Sequence, residues 1–138
     1  YTEKNMSSYI RFSTKEMDEI IPPLDEMQEN RGSWGDCSLY YFWLMRDENG
    51  FWACFELSGT NVPEEQMAVM QKIIDLEKSN DKKRYEFKYK RIYTKRYKID
   101  ESDELAQTAR SQAKAAVNDL LRYQKRLLEK LKKAEIAQ

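Results

Sequence analysis

Apolar residues follow two different spacings along this chain, and the spacing identifies the elements. Residues 39–45 and 51–57 are apolar at nearly every position and are separated by Asp47-Glu48-Asn49-Gly50. Asn-Gly between two strand-like runs is a strong hairpin signal, because a type I′ turn needs positive φ at both central residues. Strands that are apolar on both faces lie centrally in a sheet and are covered on both sides. The sequence therefore predicts a covered β-hairpin over residues 38–58.

A strict alternation of aromatic and basic positions distinguishes residues 84–99. This period of two indicates a strand, and aromatic and β-branched residues favour one. Because sixteen residues are long for one strand, we expect a bulge near Arg91-Ile92. If the aromatic face packs on the helices, only the basic face is free. The aromatic positions are odd-numbered: Tyr85, Phe87, Tyr89, Tyr93 and Tyr97.

Helical spacing governs three other parts of the chain. Ser13 with Glu16 three residues later has the spacing of a capping box, and Pro22-Pro23 predicts a kink between two short helical turns that stop near residue 30. Pro63 followed by two glutamates marks the start of a helix that ends by about residue 79. Ser102 is placed to cap a long helix over residues 102–134.

These elements predict one α+β domain spanning residues 1–138. With a short strand at 8–12, we expect a mainly antiparallel sheet of three to four strands packed by helices. A helix over 102–134 is about 50 Å long, whereas a compact domain of this size is only about 35–40 Å across. Some of it must overhang, kink or pack on a partner; we expect its first half on the sheet and its basic second half freer.

The amino-acid composition excludes several kinds of catalytic and metal site but does not identify one. The chain has no histidine, which excludes Ser-His-Asp and Cys-His catalysis, histidine-ligated metals and a histidine pH switch. Its two cysteines, Cys37 and Cys54, lie outside any metal or redox spacing, and we expect no disulfide between them and a reducing, cytoplasmic setting. There is no membrane-spanning apolar run and no secretion signal. Because the chain begins at Tyr1, we expect a segment excised from a longer protein.

The net charge of zero is the sum of an acidic first part and a basic second part of the chain. Residues 1–80 carry 7 basic and 15 acidic side chains, and residues 81–138 carry 17 basic and 9 acidic ones. Such asymmetry is typical of proteins with an anionic partner, such as nucleic acid bound through its backbone. It is also expected where a basic surface pairs with an acidic surface of the same protein. The candidate nucleic-acid-binding residues are Lys82, Lys83, Arg84, Lys88, Lys90, Arg96 and Lys98.

Two carboxylates are the candidates for catalysis. Glu86-Phe87-Lys88 has the spacing of the E-x-K element of PD-(D/E)XK nucleases, where residues two apart on a strand share one face beside a Mg²⁺ ion. The partner aspartate on a neighbouring strand is missing from the predicted layout. Glu56 is the other candidate, because it interrupts an apolar strand. Magnesium is expected only if this nuclease alternative holds; otherwise we expect no cofactor and no metal.

The order of elements over residues 39–131 resembles a bacterial domain of unknown function found behind PD-(D/E)XK-type nuclease cores in restriction-like and defence-associated proteins. The resemblance lies in a hairpin ending in residues 55–59, an acidic helix start at 64–67, a basic linker into Tyr85-Glu86-Phe87, and a long closing helix. Tryptophans often seen in that domain's second strand and closing helix are absent here. The resemblance implies an accessory role beside a nuclease and carries over no catalytic residue.

The sequence therefore favours a non-catalytic accessory module that contacts DNA or a neighbouring domain through a basic strand face. A metal-dependent nuclease using Glu86 and Lys88 is one alternative. The other is an interaction or dimerisation domain that uses the helix 102–134, where Leu120 with Leu127 and Leu121 with Leu128 have heptad spacing.

Overall fold

The computed structural model describes residues 8–25, 37–47, 50–97 and 105–136. The strands within these ranges form one antiparallel sheet in the order β1-β2-β3-β4, which confirms the α+β class and the long closing helix. The elements in chain order are β1 (Ser8–Phe12), α1 (Lys15–Ile20), β2 (Tyr40–Asp47), β3 (Gly50–Ser58), α2 (Glu64–Glu77), β4 (Tyr89–Tyr97) and α3 (Leu105–Ile136).

The predicted hairpin forms the centre of the sheet. Tyr40 pairs with Leu57 at one end of the β2–β3 ladder and Asp47 pairs with Gly50 at the other. Gly50 has a φ of 141° and is the first residue of β3, where it pairs with Asp47 instead of lying at the centre of the turn as the Asn-Gly pattern predicted. The two residues between Asp47 and Gly50 lie outside the described part of the chain.

Strand β4 is shorter than the alternating sequence predicted. The prediction of a strand start at residue 84 is wrong, because residues 82–85 form turns in which the amide of Glu86 donates to the carbonyl of Lys83 at 2.9 Å. The carboxylate of Asp81 accepts the Lys83 amide at 3.0 Å, and such local bonds compete with a strand ladder. The predicted end of the strand, residues 98–99, lies outside the described residues.

The bulge near Arg91-Ile92 is confirmed, and it changes which side chains share a face. Phe55 pairs with Tyr93 and Glu56 pairs with Arg91, so Ile92 is the extra residue. Ile92 is buried in the core. Because of this insertion, Tyr93 and Tyr97 face the helices whereas Tyr89 lies on the opposite face. The expectation that all aromatic positions share one face is therefore wrong.

The helices pack their apolar stripes against one face of the sheet. The second half of α3 is part of this packing, since Leu127 is buried and Leu131 packs on the core, so the expectation of a freer second half is wrong. The residue Ser102, predicted to cap this helix, lies outside the described residues. The largest buried side chains of this single core are Met17, Ile21, Leu39, Tyr40, Phe42, Phe55, Leu57, Met70, Ile73, Ile74, Leu120 and Leu127.

The short helix α1 is anchored by Thr14 rather than by the predicted cap Ser13. The Thr14 hydroxyl accepts the Met17 amide at 3.1 Å and donates to the Oε1 atom of Gln124 on α3. The helix ends at Ile20, before Pro22-Pro23. Residues 21–25 are not helical, so the second predicted turn does not form there, and its remainder lies outside the described residues.

Candidate nucleic-acid interface

The face of the sheet opposite the helical core carries most of the tyrosine and tryptophan side chains of the central strands. We call it the open face, because the apolar stripes of the three described helices all lie on the other side. Its members follow from strand alternation and register. They are Tyr9, Arg11, Tyr41, Trp43, Met45, Trp52, Cys54, Glu56, Ser58, Tyr89, Arg91, Thr94 and Arg96.

The aromatic residues of the hairpin divide between the two faces of the sheet. Tyr40, Phe42, Phe51 and Phe55 lie on the core face and are buried, whereas Tyr41, Trp43 and Trp52 lie on the open face and are half-buried. Tryptophan has an apolar ring and a polar edge, which suits a surface in contact with solvent or a ligand. Because the described helices pack on the core face alone, the expectation that the hairpin is covered on both sides is wrong for the described residues. The two tryptophans of the hairpin, both on the open face, are the signal in the sequence that could have shown it.

Arginines stack on these rings at two places. The guanidinium carbon of Arg96 lies 4.1 Å from the ring centroid of Trp52. That of Arg11 lies 4.8 Å from the ring of Tyr41 and 5.8 Å from the ring of Trp43. A permanently charged guanidinium within about 6 Å of a ring centroid is attracted to the face of the ring. The open face therefore presents positive charge on an aromatic support.

Rings also connect the strands along this face. The ring of Tyr9 on β1 lies 5.4 Å from that of Trp43 on β2, at an interplanar angle of 58°. Tyr41 lies 5.8 Å from Trp43 in an edge-on arrangement. Such tilted and edge-on pairs are the preferred aromatic geometries, so the three rings form one stable cluster.

Glu56 and Arg91 form an ion pair beside this cluster. The Nε atom of Arg91 lies 3.5 Å from the Oε2 atom of Glu56, and the side chains are 51% and 15% exposed respectively. Burial raises the pKa of Glu56, while Arg91 and the Trp43 indole act in the opposite direction. Among the open-face side chains that the structure describes, Glu56 is the only acidic one.

Cys54 lies at the centre of the open face but is fully buried between its neighbours. The Thr94 hydroxyl donates to its sulfur at 4.0 Å, and burial raises the pKa of the thiol to about 11. A thiol of this kind is protonated near neutral pH and is a poor nucleophile. Cys37 is half-buried, and both cysteines are free, as expected.

The structure spreads the predicted basic residues over several surfaces instead of one. Arg96 is on the open face, but Lys90 is mostly buried and pairs with Asp81 at 2.6 Å. Arg84 pairs with Asp75 at 2.9 Å. The bulge at Ile92 is the physical reason, because it places Lys90 and Arg96 on opposite faces although both numbers are even. Lys82, Lys83 and Lys88 are exposed before β4, and Lys98 lies outside the described residues.

Several ion pairs join the acidic and basic halves of the chain. Besides the pairs of Asp75 with Arg84 and of Glu56 with Arg91, Glu77 on α2 binds Lys130 on α3 at 3.2 Å. Part of the difference in charge between the two halves is therefore neutralised by ion pairs within the chain. Sequence analysis did not select Arg11 and Arg91 as candidates. They lie on separate strands, β1 and β4, and only the pairing register of the four strands places them on the same face.

The E-x-K spacing does not produce the strand geometry that a PD-(D/E)XK site needs. Glu86 and Lys88 are exposed and precede β4, so they do not share a strand face. Asp75 on α2 is paired with Arg84. In the ranges that the structure describes, no three histidine, cysteine, aspartate or glutamate side chains lie close enough together to hold a metal ion.

Most of the leucines of α3 that have heptad spacing pack in or against the hydrophobic core. Leu120 and Leu127 are buried in the core, and Leu128 packs against it. Leu121 is 42% exposed. An apolar seam for a partner helix needs several such residues along one stripe, so the described part of α3 offers little of one.

Comparisons with protein-family models, with curated proteins and with solved structures found no match to this chain. None of the helices in the described ranges has both the length and the apolar run that crossing a bilayer requires.

Proposed function

We propose that this chain is a non-catalytic binding module that holds single-stranded nucleic acid on its open face. The observation that carries the proposal is the stack of Arg96 on Trp52, 4.1 Å apart, on the same face as Arg11 above Tyr41 and Trp43. Arginines next to aromatic rings offer phosphates a positive charge, and the planar groups offer a base a surface on which to stack.

The charges on the open face support an anionic ligand. Arg91 and Arg96 lie there beside Glu56, the only acidic side chain among those of this face that the structure describes. Arg91 and Arg96 are exposed, so their guanidinium groups are accessible to a phosphate. Neutralising phosphates releases counterions, and binding of this kind weakens as the salt concentration rises.

The shape of the surface favours single strands over a duplex. A sheet face with rings lying on it gives unpaired bases a platform on which to stack, as in other sheet-based binders of single strands. A duplex keeps its bases stacked on one another and would meet only the arginines. The rings of Tyr41, Trp43 and Trp52 would then contribute nothing.

The broader role that we propose is that of an accessory module in a bacterial nuclease-like or defence-associated protein, as the arrangement of elements implies. We also propose a reducing, cytoplasmic setting, because both cysteines are free thiols. Neither proposal is needed for the binding claim.

Fluorescence anisotropy of a labelled 16-nucleotide oligothymidine tests the binding claim. We expect saturable binding at about 50 mM salt that weakens at least tenfold by about 200 mM. Trp52→Ala removes one stacking ring and should weaken binding by about 1–3 kcal/mol. Arg96→Ser should weaken it also.

Lys82→Ser is the matched control, because Lys82 is an exposed cation away from the open face. It should change the affinity less than Arg96→Ser does. Two results would contradict the proposal: no binding at low salt, or an equal loss in Lys82→Ser and Arg96→Ser. The first result would direct attention to a protein partner, since tyrosine, tryptophan and arginine are also the main anchors of protein interfaces.

A further inference from the structure

Glu56 is the one feature of the open face that does not fit simple backbone binding. Its carboxylate repels phosphates, yet it sits beside the ring cluster with Arg91 at 3.5 Å. We infer that Glu56 selects an unpaired guanine among the bases that the open face holds. This inference rests on the proposed function and adds a base preference to it.

The donor and acceptor pattern of the bases singles out guanine. A carboxylate offers two acceptor oxygens side by side and no donor. On its pairing edge guanine has two adjacent donors, the N1 imino group and the N2 amino group. Adenine, cytosine and thymine or uracil each place an acceptor next to their donor there. Only guanine can therefore satisfy both carboxylate oxygens without setting an acceptor against a negative charge.

The surroundings of Glu56 suit such a contact. Its neighbours across the ladder are Tyr41 on β2 and Arg91 on β4, and the Trp43 indole also acts on the carboxylate. A base that stacks near Tyr41 and Trp43 would bring its edge toward Glu56. Arg91 holds the carboxylate through Nε and has further N–H groups that can donate to the O6 acceptor of guanine.

Partial burial gives the contact its selectivity. The Glu56 side chain is 15% exposed, so water competes with a ligand less than it would at an open surface. A base that sets an acceptor against this carboxylate meets a negative charge that water screens only in part. Hydrogen bonds from guanine would in turn stabilise the ionised form, which opposes the effect of burial on the pKa of Glu56.

Four oligonucleotides test the inference: 16-nucleotide oligothymidine, and the same strand with one central guanine, adenine or cytosine. A single guanine avoids four-stranded structures. For the wild-type chain we expect the guanine strand to bind at least fivefold more tightly than the other three, the low end of what one bidentate contact discriminates. Glu56→Gln replaces one acceptor by a donor, so it should abolish the preference, measured as the ratio of the affinity for the guanine strand to the affinity for oligothymidine.

Glu86→Gln is the matched control, because Glu86 is exposed and lies away from the sheet; the guanine preference should persist in it. Equal binding of all four strands by the wild-type chain would overturn the inference while leaving the proposed function standing. Binding of none of them would overturn the proposed function itself. If Glu56 only orients Arg91, Glu56→Gln will weaken all four strands alike, which also contradicts the inference. The wild-type comparison decides the matter even if the variant does not fold.

Discussion

The rings of Tyr93 on β4 and Tyr123 on α3 stack with their centroids 4.4 Å apart and their planes 16° from parallel. The Tyr123 hydroxyl donates to Glu77 of α2 at 3.2 Å, and Glu77 also binds Lys130. One side chain thus connects the bulged strand, the middle helix and the long helix. The junction packs β4 against the helices on the sheet face opposite Arg91 and Arg96.

We predict that Tyr123→Ala lowers the free energy of unfolding by about 3–5 kcal/mol, as for other large aromatic truncations in a core. Tyr123→Phe keeps the stack and loses only the hydroxyl, so it should cost about 0.5–1.5 kcal/mol. Urea unfolding followed by circular dichroism measures both values. Tyr85→Ala, at a tyrosine that is 41% exposed, is the control and should cost far less. Equal losses for Tyr85→Ala and Tyr123→Ala would contradict the assigned role of the junction.

The cap of α1 is the subject of the second prediction. Thr14→Ala removes the acceptor of the Met17 amide and the donor to the buried Gln124, whereas Ser13→Ala removes an exposed hydroxyl. A lost cap costs about 1 kcal/mol, and an unsatisfied buried acceptor about 1–3 kcal/mol more. Thr14→Ala should therefore lower the urea midpoint clearly and Ser13→Ala should hardly change it. The reverse order would restore the capping box predicted from the sequence.

Stability at alkaline pH is the third prediction. Burial raises the pKa of Tyr40, Tyr97 and Tyr123 above the ordinary value of 10.0, and hydrogen bonds to Asp18, Asp119 and Glu77 respectively act in the same direction. A folded-state pKa above the unfolded one gives stability that is full below pH 10 and is lost as the pH rises through the folded values. The free energy of unfolding should thus be flat up to about pH 9 and fall beyond about pH 10.

Absorbance of tyrosinate near 295 nm provides the check on that third prediction. Tyr40, Tyr97 and Tyr123 should ionise only together with the loss of the circular dichroism signal. Ionisation of these three tyrosines while the fold persists would contradict their raised pKa values.

The parts of the fold that local patterns specify could be predicted, and those that depend on distant contacts could not. The hairpin and the bulge at Ile92 follow from neighbouring residues, so the sequence indicates them correctly. A bulge also inverts the side-chain alternation after it, and its exact position decides whether Lys90 and Arg96 share a face. An uncertainty of one residue there is enough to misplace a candidate site.

The candidate site also depends on distant contacts that local sequence patterns do not specify. Glu56 was identified from its unusual position in an apolar strand, but Arg11 is 45 residues away from it and joins the open face only through the register of β1 on β2. The basic cluster before β4 was conspicuous in the sequence, yet turns and pairs with Asp75 and Asp81 disperse it. The density of charge along the chain is a weaker guide to the candidate site than the distribution of tyrosine and tryptophan between the two sheet faces.

The most direct test of the central claim is to map, by nuclear magnetic resonance, the amide and indole signals that move when oligothymidine is added to the labelled chain. We predict that the largest shifts fall on the open face, at Arg11, Trp43, Trp52, Arg91 and Arg96, with small shifts in α2 and α3. Shifts concentrated instead at Lys82 and Lys83, or along α3, would contradict the claim that the open face binds nucleic acid.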